Sequence, residues 1–208
     1  MKIAVFGGTG QTGRQFVEQA LEAGHTLKVL ARNPQKMSIN HPHLEVIEGD
    51  VTVLDDVQKV IDGQEVVVCT IGGDGLDDAT TRTLGTGHII SSMKTSDVHQ
   101  LIVCSVLGIG GSKKHLGMMG KAVLNTLLKK PKMDHEGQES LVQSSDLKWV
   151  IIRPPRLNDG QHTGTYKIVH EDESGFKGTQ ISRADVAHCL LRALSEPEWV
   201  GKALSISY

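Results

Sequence analysis

A glycine-rich turn stands directly between a short apolar run and a helical pattern at the start of this 208-residue chain. The apolar run is Ile3 to Phe6, and the turn that follows reads Gly7-Gly8-Thr9-Gly10-Gln11-Thr12-Gly13. At this spacing the first glycine permits a tight turn, the second lets the backbone approach a pyrophosphate, and the third allows close helix packing. Amides at the helix start then face an anion at the positive end of the helix dipole. The turn therefore predicts a dinucleotide-binding site.

Apolar, β-branched runs recur along the chain, separated mostly by stretches of helical periodicity. The predicted strands are 2–6, 26–31, 44–48, 65–71, 100–105, 148–153 and a short last strand at 203–207. The predicted helices run from Gln11 to Ala23, Asp55 to Ile61, Thr80 to Ser96, His135 to Ser145 and Arg183 to Leu194. Right-handed crossovers give an α/β fold, a three-layer doubly wound parallel sheet ordered 3-2-1-4-5-6 with a small C-terminal substrate lobe.

The chain length fits a single domain over residues 1–208, because a second full domain has no room. Two Gly- and Lys-rich segments of weak periodicity, about 106–132 and 156–180, follow strands whose ends face the predicted cofactor. We expect them to be substrate loops. The run from Lys129 to Lys132 is typical of a solvated helix exit, and Asp134-His135 of a helix start.

Composition argues against several classes of partner. The net charge of −2 leaves no basic excess for nucleic acid, and no long apolar stretch or signal-like amino terminus is present. We expect a cytoplasmic monomer without a nucleic-acid or membrane partner. Cys69, Cys104 and Cys189 lack C-x-x-C spacing, which favours inert core thiols. The histidines are scattered without the pairing of a metal site, so we expect no metal.

The residue after the second predicted strand distinguishes the two nicotinamide cofactors. An NAD-preferring site usually carries an acidic residue there, whereas this chain has Arg32, followed four residues later by Lys36. Both cations suit a 2′-phosphate, which predicts NADPH, although two solvated surface cations are the alternative. After the third strand, Asp50 and Val51 can flank the adenine, or Asp50 can be a plain N-cap of the next helix.

Together these features resemble the atypical short-chain dehydrogenase/reductase group, specifically the NADPH-dependent biliverdin-IXβ reductase and flavin reductase family. The resemblance covers nearly the whole chain and is carried by IAVFGGTGQTG (3–13), VLAR (29–32), GDV (49–51), TIG (70–72), VCS (103–105), DH (134–135), LKWVIIRPP (147–155) and ISRADVA (181–187). It implies a Rossmann fold and hydride transfer from NADPH to flavins (FMN, FAD or riboflavin) or from NADPH to biliverdin, giving bilirubin.

The resemblance also implies a role for each matching position. The pyrophosphate would meet Thr9, Gly10, Gln11 and Thr12; the 2′-phosphate Arg32 and Lys36; the adenine Asp50 and Val51; the middle of the cofactor Ile71 and Gly72; and the nicotinamide Ser105, His135, Pro155, Arg156 and Leu157. Cys104 is a further expected cofactor-binding residue. Cationic side chains at Arg156, Lys113 and Lys114 can attract tetrapyrrole propionates or a flavin phosphate.

Ordinary short-chain dehydrogenases protonate a carbonyl through a Tyr with a Lys four residues later. This chain has only Tyr166 and Tyr208, and neither has a Lys at that offset, so a planar acceptor that takes hydride directly fits better. Ser105 and His135 are the candidate catalytic residues, the histidine as a proton donor near neutral pH, although both can instead be structural. Two other classes stay open: a non-catalytic, NADP-sensing regulator of the NmrA-like kind, and an enzyme acting on nucleotide sugars.

Overall fold

The computed structural model describes residues 1–72 and 80–208. These residues form one eight-stranded sheet and a separate two-stranded ribbon. The strands are β1 (Lys2–Phe6), β2 (Thr26–Ala31), β3 (Leu44–Glu48), β4 (Val66–Cys69), β5 (Gln100–Cys104), β6 (Lys148–Arg153), β7 (Arg156–Asn158), β8 (Lys167–Val169), β9 (Gln180–Ser182) and β10 (Lys202–Ser207). The helices are α1 (Gln11–Glu22), α2 (Leu54–Ile61), α3 (Thr81–Lys94), α4 (Met118–Asn125), α5 (Lys129–Gln143) and α6 (Arg183–Arg192).

The large sheet has the order β3-β2-β1-β4-β5-β6-β10-β8, which confirms the predicted 3-2-1-4-5-6 arrangement. All neighbours pair in parallel except β8, which runs antiparallel to β10 at the edge. Strands β7 and β9 pair in parallel as a separate ribbon in the C-terminal part. Parallel strands require a covered sheet on both faces, and the run Val66 to Cys69 is accordingly buried throughout.

Two hydrophobic clusters cover the two faces of the sheet. One joins the sheet to α1 and α6, with Phe16 and Leu190 among its buried members. The other joins it to α2, α3 and α5, with Val57, Ile89 and Val142 buried. Because β1 and β4 are adjacent and their crossovers leave on opposite faces, their carboxyl ends open a crevice where such folds bind ligands.

Three predictions about the middle of the chain are wrong. Helix α5 begins at Lys129, so Lys129 to Lys132 form its first turn and not a helix exit, and Asp134-His135 lie inside it. A proline at position 131 is compatible with this start, because first-turn amides need no intrahelical acceptor. Within the segment expected to be a loop, residues 118–125 form α4, whose apolar residues face outward and so gave no core-facing pattern.

Candidate functional site

The glycine turn has the geometry that its spacing predicts. Gly7 has a φ of +86°, and a Cβ added there would lie 2.5 Å from the carbonyl carbon of Thr70. A Cβ on Gly13 would lie 2.2 Å from the carbonyl oxygen of Gly7, so α1 packs directly against the turn. Gly10 is the N-cap of α1 and brings no capping side chain. The first-turn amides of α1 are therefore available for an anion at this helix end.

A cleft of about 350 Å³ lies beside this turn, at the carboxyl ends of the first strands. It brings together most of the predicted cofactor residues: Gly7, Thr9, Gly10, Arg32, Lys36, Asp50, Val51, Ile71 and Gly72. Gly49, the first residue of the GDV motif expected to flank the adenine, also lines it, and five further lining residues were missed by the sequence reasoning: Phe6, Leu30, Ala31, Thr52 and Thr81. Most of these missed residues are apolar, and they line the cleft only because the fold makes their strand ends neighbours, so no local motif marks them.

The remaining predicted cofactor residues do not line this cleft. Gln11 and Thr12 form the first turn of α1, and Gly13 is buried beneath it. Cys104 ends β5 and packs against the cluster under α1 and α6. The others, Pro155, Arg156 and Leu157, lie after β6 and on β7, with Pro155 buried and Arg156 exposed. The cleft thus gathers residues predicted for the adenosine half, the pyrophosphate and the middle of a dinucleotide, but none predicted for the nicotinamide region.

A third positive side chain, which the sequence reasoning missed, holds the segment that carries Lys36. Arg14, on α1, donates from Nη2 to the carbonyl oxygen of Lys36 at 2.5 Å and from Nη1 to Ser38 Oγ at 3.4 Å. Lys36 lies in the short 3-10 turn Pro34–Lys36 after β2, and its carbonyl is fixed to α1 by this guanidinium. Arg14 therefore determines where the Lys36 segment stands relative to Arg32.

The turn after β3 is held by its own carboxylates. Asp50 Oδ1 accepts from the amide and the hydroxyl of Thr52, both at 2.8 Å. Asp56 Oδ2 accepts from the Asp50 amide, and this bond, with Lys59 as the second contributor, lowers the pKa of Asp56. The N-cap of α2 is Val53, so the alternative interpretation of Asp50 as that N-cap is wrong. Asp50 shapes the cleft wall instead.

The two candidate catalytic residues lie together although thirty positions separate them in the chain. Ser105 follows β5 and is 6% exposed, and its Oγ is 3.5 Å from His135 Nδ1 on α5. Its amide donates to the Ile152 carbonyl at 2.8 Å, which extends the β5–β6 pairing by one residue. The 3.5 Å between Ser105 Oγ and His135 Nδ1 is at the outer limit of a hydrogen bond, so this side-chain contact is weak.

The protonation state of His135 differs from the expectation. Burial, together with the nearby Arg82 guanidinium, lowers the pKa of His135 from 6.5 to about 3. The ring is therefore neutral at pH 7, and the expectation that it supplies an imidazolium proton near neutrality is wrong. A neutral imidazole can still accept or donate one hydrogen bond at each ring nitrogen, according to its tautomer.

This shift predicts a pH dependence of stability. The unfolded chain protonates His135 near pH 6.5, whereas the folded chain does so only near pH 3. The contribution of the neutral ring to the free energy of unfolding is therefore complete above pH 6.5 and is lost as pH falls toward 3. We expect urea midpoints to fall between about pH 7 and pH 5, and a His135→Gln variant to lose about 1–2 kcal/mol less over that interval. An identical fall in both proteins would contradict the assignment. The pKa values of His25 and His188 are also lowered, so the variant is needed to isolate His135.

A buried ion pair joins α3 to α5 beside His135, and the sequence reasoning gave it no role. Asp134 is 0% exposed and accepts from the Arg82 amide at 2.9 Å and the Thr83 amide at 2.8 Å. Its Oδ2 also lies 3.2 Å from Arg82 Nη1. Asp134 thus caps the start of α3 from another helix. Since Thr81 lines the cleft, this carboxylate connects the cofactor wall with the helix that carries His135.

A second buried pair supports the other end of α5. Arg153, 0% exposed at the end of β6, donates from Nε and Nη2 to the two oxygens of Glu139, at 2.9 and 2.5 Å, and also pairs with Glu171. Burial opposes the charge of Arg153, but the two carboxylates outweigh it, and the pKa of Arg153 is raised. A Cβ on Gly110 would lie 2.7 Å from Arg153 Nη2, so the loop after β5 rests directly on this cation.

Both tyrosines are engaged in structural contacts. The Tyr166 hydroxyl lies 2.9 Å from His188 Nδ1, and the Tyr208 hydroxyl donates to Asp185 Oδ2 at 2.7 Å. Asp185 also accepts from Thr163 and Gly164. Burial favours a higher pKa of Asp185, but these hydrogen bonds outweigh it and lower the pKa.

The three cysteines are inert thiols, as expected. Burial raises the pKa of Cys69 to about 11 and those of Cys104 and Cys189 to about 12.

The comparisons with known proteins agree with this geometry. A family model described as NAD(P)H-binding matches residues 7–197. The chain belongs to this family. It is 33% identical to the isoflavone reductase homolog A622 of Nicotiana glauca, over 98% of this chain and 67% of the relative. The predicted nicotinamide-dinucleotide cofactor is thereby confirmed as NAD(P)H.

Two solved structures share the fold. The anaerobillin reductase ChuY of Escherichia coli O157:H7 aligns with a TM-score of 0.81 at 21% identity, over 100% of this chain and 97% of that one. A short-chain dehydrogenase/reductase of Veillonella parvula, solved in complex with NADP, aligns with a TM-score of 0.82 at 16% identity, over 100% and 94%. These similarities establish the Rossmann-like architecture.

Two features are absent from residues 1–72 and 80–208. Within those ranges, no three or more His, Cys, Asp or Glu side chains are grouped to hold a metal ion. In the same part of the chain, no helix has both the length and the apolar composition needed to cross a membrane.

Proposed function

We propose that this protein is a cytoplasmic, NADPH-dependent reductase that transfers hydride to flavins and to biliverdin-type linear tetrapyrroles. When bound, NADPH supplies the hydride. The observation that carries the proposal is the Ser105–His135 pair: it lies at the carboxyl edge of the sheet, and its imidazole is neutral. A site of this kind suits an acceptor that does not need a strong protein acid; for a tetrapyrrole, which takes the hydride at its bridge carbon, the proton at the pyrrole nitrogen would come from solvent, relayed past Ser105.

A flavin meets that requirement. Hydride adds to its N5, and the resulting charge is delocalised over the ring, so solvent can complete the protonation. In this proposal Ser105 and neutral His135 orient the acceptor by hydrogen bonds, while Arg156 and Lys113, both exposed, attract its anionic groups. Lys113 Nζ stands 3.8 Å from Glu136 Oε1 with 60% of its side chain exposed, so it can turn toward a ligand.

The preference for NADPH rests on the cationic corner of the cleft. Arg32 and Lys36 are exposed, and both line the cleft, where a 2′-phosphate would meet two positive charges. A protein of the same fold has been solved in complex with NADP, which supports this preference.

The direct test mixes the purified protein with NADPH and either FMN or biliverdin and follows the nicotinamide absorbance. We expect acceptor-dependent oxidation of NADPH, faster than with NADH at equal concentration. The control omits the acceptor. Binding of NADPH without turnover of any acceptor would refute the reductase and favour an NADP-sensing regulator.

Ser105→Ala tests the acceptor side of the site. Losing one neutral hydrogen bond to the reacting partners corresponds to about a three- to tenfold slower turnover, while the Kd of NADPH should stay the same. Ser96→Ala is the matched control, because the Ser96 hydroxyl, just after α3, donates to the Met93 carbonyl and accepts from the Val98 amide. An unchanged turnover number would make Ser105 a structural residue.

Arg14→Ala tests the positioning of Lys36. Without the bond to its carbonyl, the Lys36 segment is no longer held against α1, and we expect the Kd of NADPH to rise about fivefold with little change for NADH. Binding of 2′,5′-ADP and 5′-AMP measures the same contrast on the adenosine half alone. Arg14→Lys, which keeps one donor, should recover part of the loss. Equal weakening of both nucleotides would contradict the positioning role.

A further inference from the structure

Helix α4 turns its apolar residues away from the protein. Met118, Met119 and Val123 are 89%, 83% and 43% exposed. Residues 118, 119, 122 and 123 share one arc of the helix, since successive positions are about 100° apart. Leu124, on the opposite arc, is buried, and its side chain lies against Gly108. The helix is thus anchored by one side and presents an unpartnered apolar side to solvent.

This apolar side continues past the end of α4. Leu127 is 69% exposed and Met133 is 55% exposed. Of the ten large hydrophobic side chains exposed among the described residues, five lie between positions 118 and 133. Single exposed hydrophobic residues need no explanation, but a concentration of this kind marks an interaction surface. We call the exposed residues Met118, Met119, Val123, Leu127 and Met133 the α4 surface.

The charge of the same segment is strongly one-sided. Residues 98–133 contain no Asp or Glu but carry six lysines, at positions 113, 114, 121, 129, 130 and 132, in a chain whose net charge is −2. Lys121 and Lys129 are exposed next to the α4 surface. Lys132 Nζ bonds Asn125 Oδ1 at 2.9 Å, which ties the start of α5 to the end of α4. Lys113 and Lys132 each lie 3.8 Å from Glu136 Oε1, so Lys121 and Lys129 form the cationic edge of the α4 surface.

We propose that the α4 surface docks on an anionic lipid bilayer. An amphipathic helix can insert its exposed apolar side into the boundary between headgroups and acyl chains. Lysines along the edge of that side then contact anionic headgroups. The proposal goes against the absence of a membrane partner that we expected from composition, because the net charge of the whole chain conceals the basic segment. Docking would bring the bilayer to the segment that directly follows Ser105.

Two other occupants fit less well. A symmetric dimer formed through this surface would bring the lysines of both copies together, and the like charges would oppose it. A nucleic acid would meet the lysines but leave the exposed methionines and Leu127 without an apolar partner. Anionic lipid matches both properties at once.

The test uses the full chain without cofactor, so its outcome does not depend on the reductase proposal. Sedimentation with vesicles of phosphatidylcholine alone, or of phosphatidylcholine with phosphatidylglycerol, measures partition at low and high salt. We expect binding to the anionic vesicles only, weakened by salt. Removing Lys121 and Lys129 together, by substitution with Ala, should weaken it at least about tenfold, since each lysine near such a surface accounts for about fivefold.

The apolar contribution is tested by Met118→Ser with Met119→Ser, which should lower the partition at least about tenfold. Because both side chains are more than four-fifths exposed, these substitutions should leave the far-UV circular dichroism and the thermal midpoint unchanged. The matched control combines Val53→Ser and Leu84→Ser, exposed hydrophobic residues elsewhere at 46% and 47%, and should bind like the original protein. Three results would overturn the proposal: equal binding to neutral and to anionic vesicles, no binding to anionic vesicles, or self-association of the original protein that the methionine variant lacks.

Discussion

Replacement of Asp134 by Ala should lower the free energy of unfolding by about 3–5 kcal/mol. The carboxylate is 0% exposed, and its removal leaves the Arg82 guanidinium without its buried counter-charge. The amides of Arg82 and Thr83 lose their acceptor at the start of α3 in the same step. Breaking a buried pair from one side costs far more than an exposed pair contributes, because the remaining charge stays desolvated.

Urea denaturation of Asp134→Ala measures this change as a lower midpoint at an unchanged slope. Asp134→Asn keeps one oxygen acceptor but not the charge, so we expect an intermediate loss. Asp146→Ala, an exposed acidic residue near the end of the same helix, should change the unfolding free energy by less than about 0.5 kcal/mol. A stability of Asp134→Ala equal to that of Asp146→Ala would show that the α3–α5 connection is unimportant.

Arg32→Asp should weaken NADPH relative to NADH by about 2–3 kcal/mol, or about 30- to 150-fold in the ratio of dissociation constants. The substitution removes one cation from the cleft and places a carboxylate where the 2′-phosphate would lie, so attraction is replaced by repulsion. The same carboxylate can accept hydrogen bonds from the ribose hydroxyls of NADH, which further favours NADH over NADPH in the variant.

Titration of each nucleotide against the protein measures the ratio directly. Arg156→Asp is the matched control: it makes the same change of charge at an exposed position predicted for the nicotinamide end, which both nucleotides share. It should leave the NADPH to NADH ratio unaltered. A uniform loss of both nucleotides in Arg32→Asp would refute the 2′-phosphate assignment.

The sheet was predictable because its information is local. The central strands β1, β4, β5 and β6 are buried on both faces, so each appears as a continuous apolar run, and the first six runs give strands in the observed order. The glycines of the first turn were equally readable, since a left-handed φ at Gly7 and a near contact at Gly13 each exclude other residues.

Helices without a core-facing pattern were missed or misplaced. Helix α4 buries only Leu124, and α5 begins with a lysine run that resembles a solvated helix end. In both cases the local sequence favours a loop, and packing against Gly108 or the buried pairs of Asp134 and Arg153 decides otherwise.

By itself, the sequence determined the positions of the first six strands, the position of the dinucleotide turn and the cations that follow the second strand, because each depends on a few neighbouring residues. The order of the strands followed from the right-handed crossover rule. Only the tertiary structure decided that His135 is neutral, that Asp134 caps a distant helix, that Arg14 holds the Lys36 segment and that the apolar arc of α4 faces outward. These properties arise between groups that are far apart in the chain but close in space. Their burial and their mutual charge determine the free energies of protonation and of folding, and no local sequence pattern predicts that they lie close together.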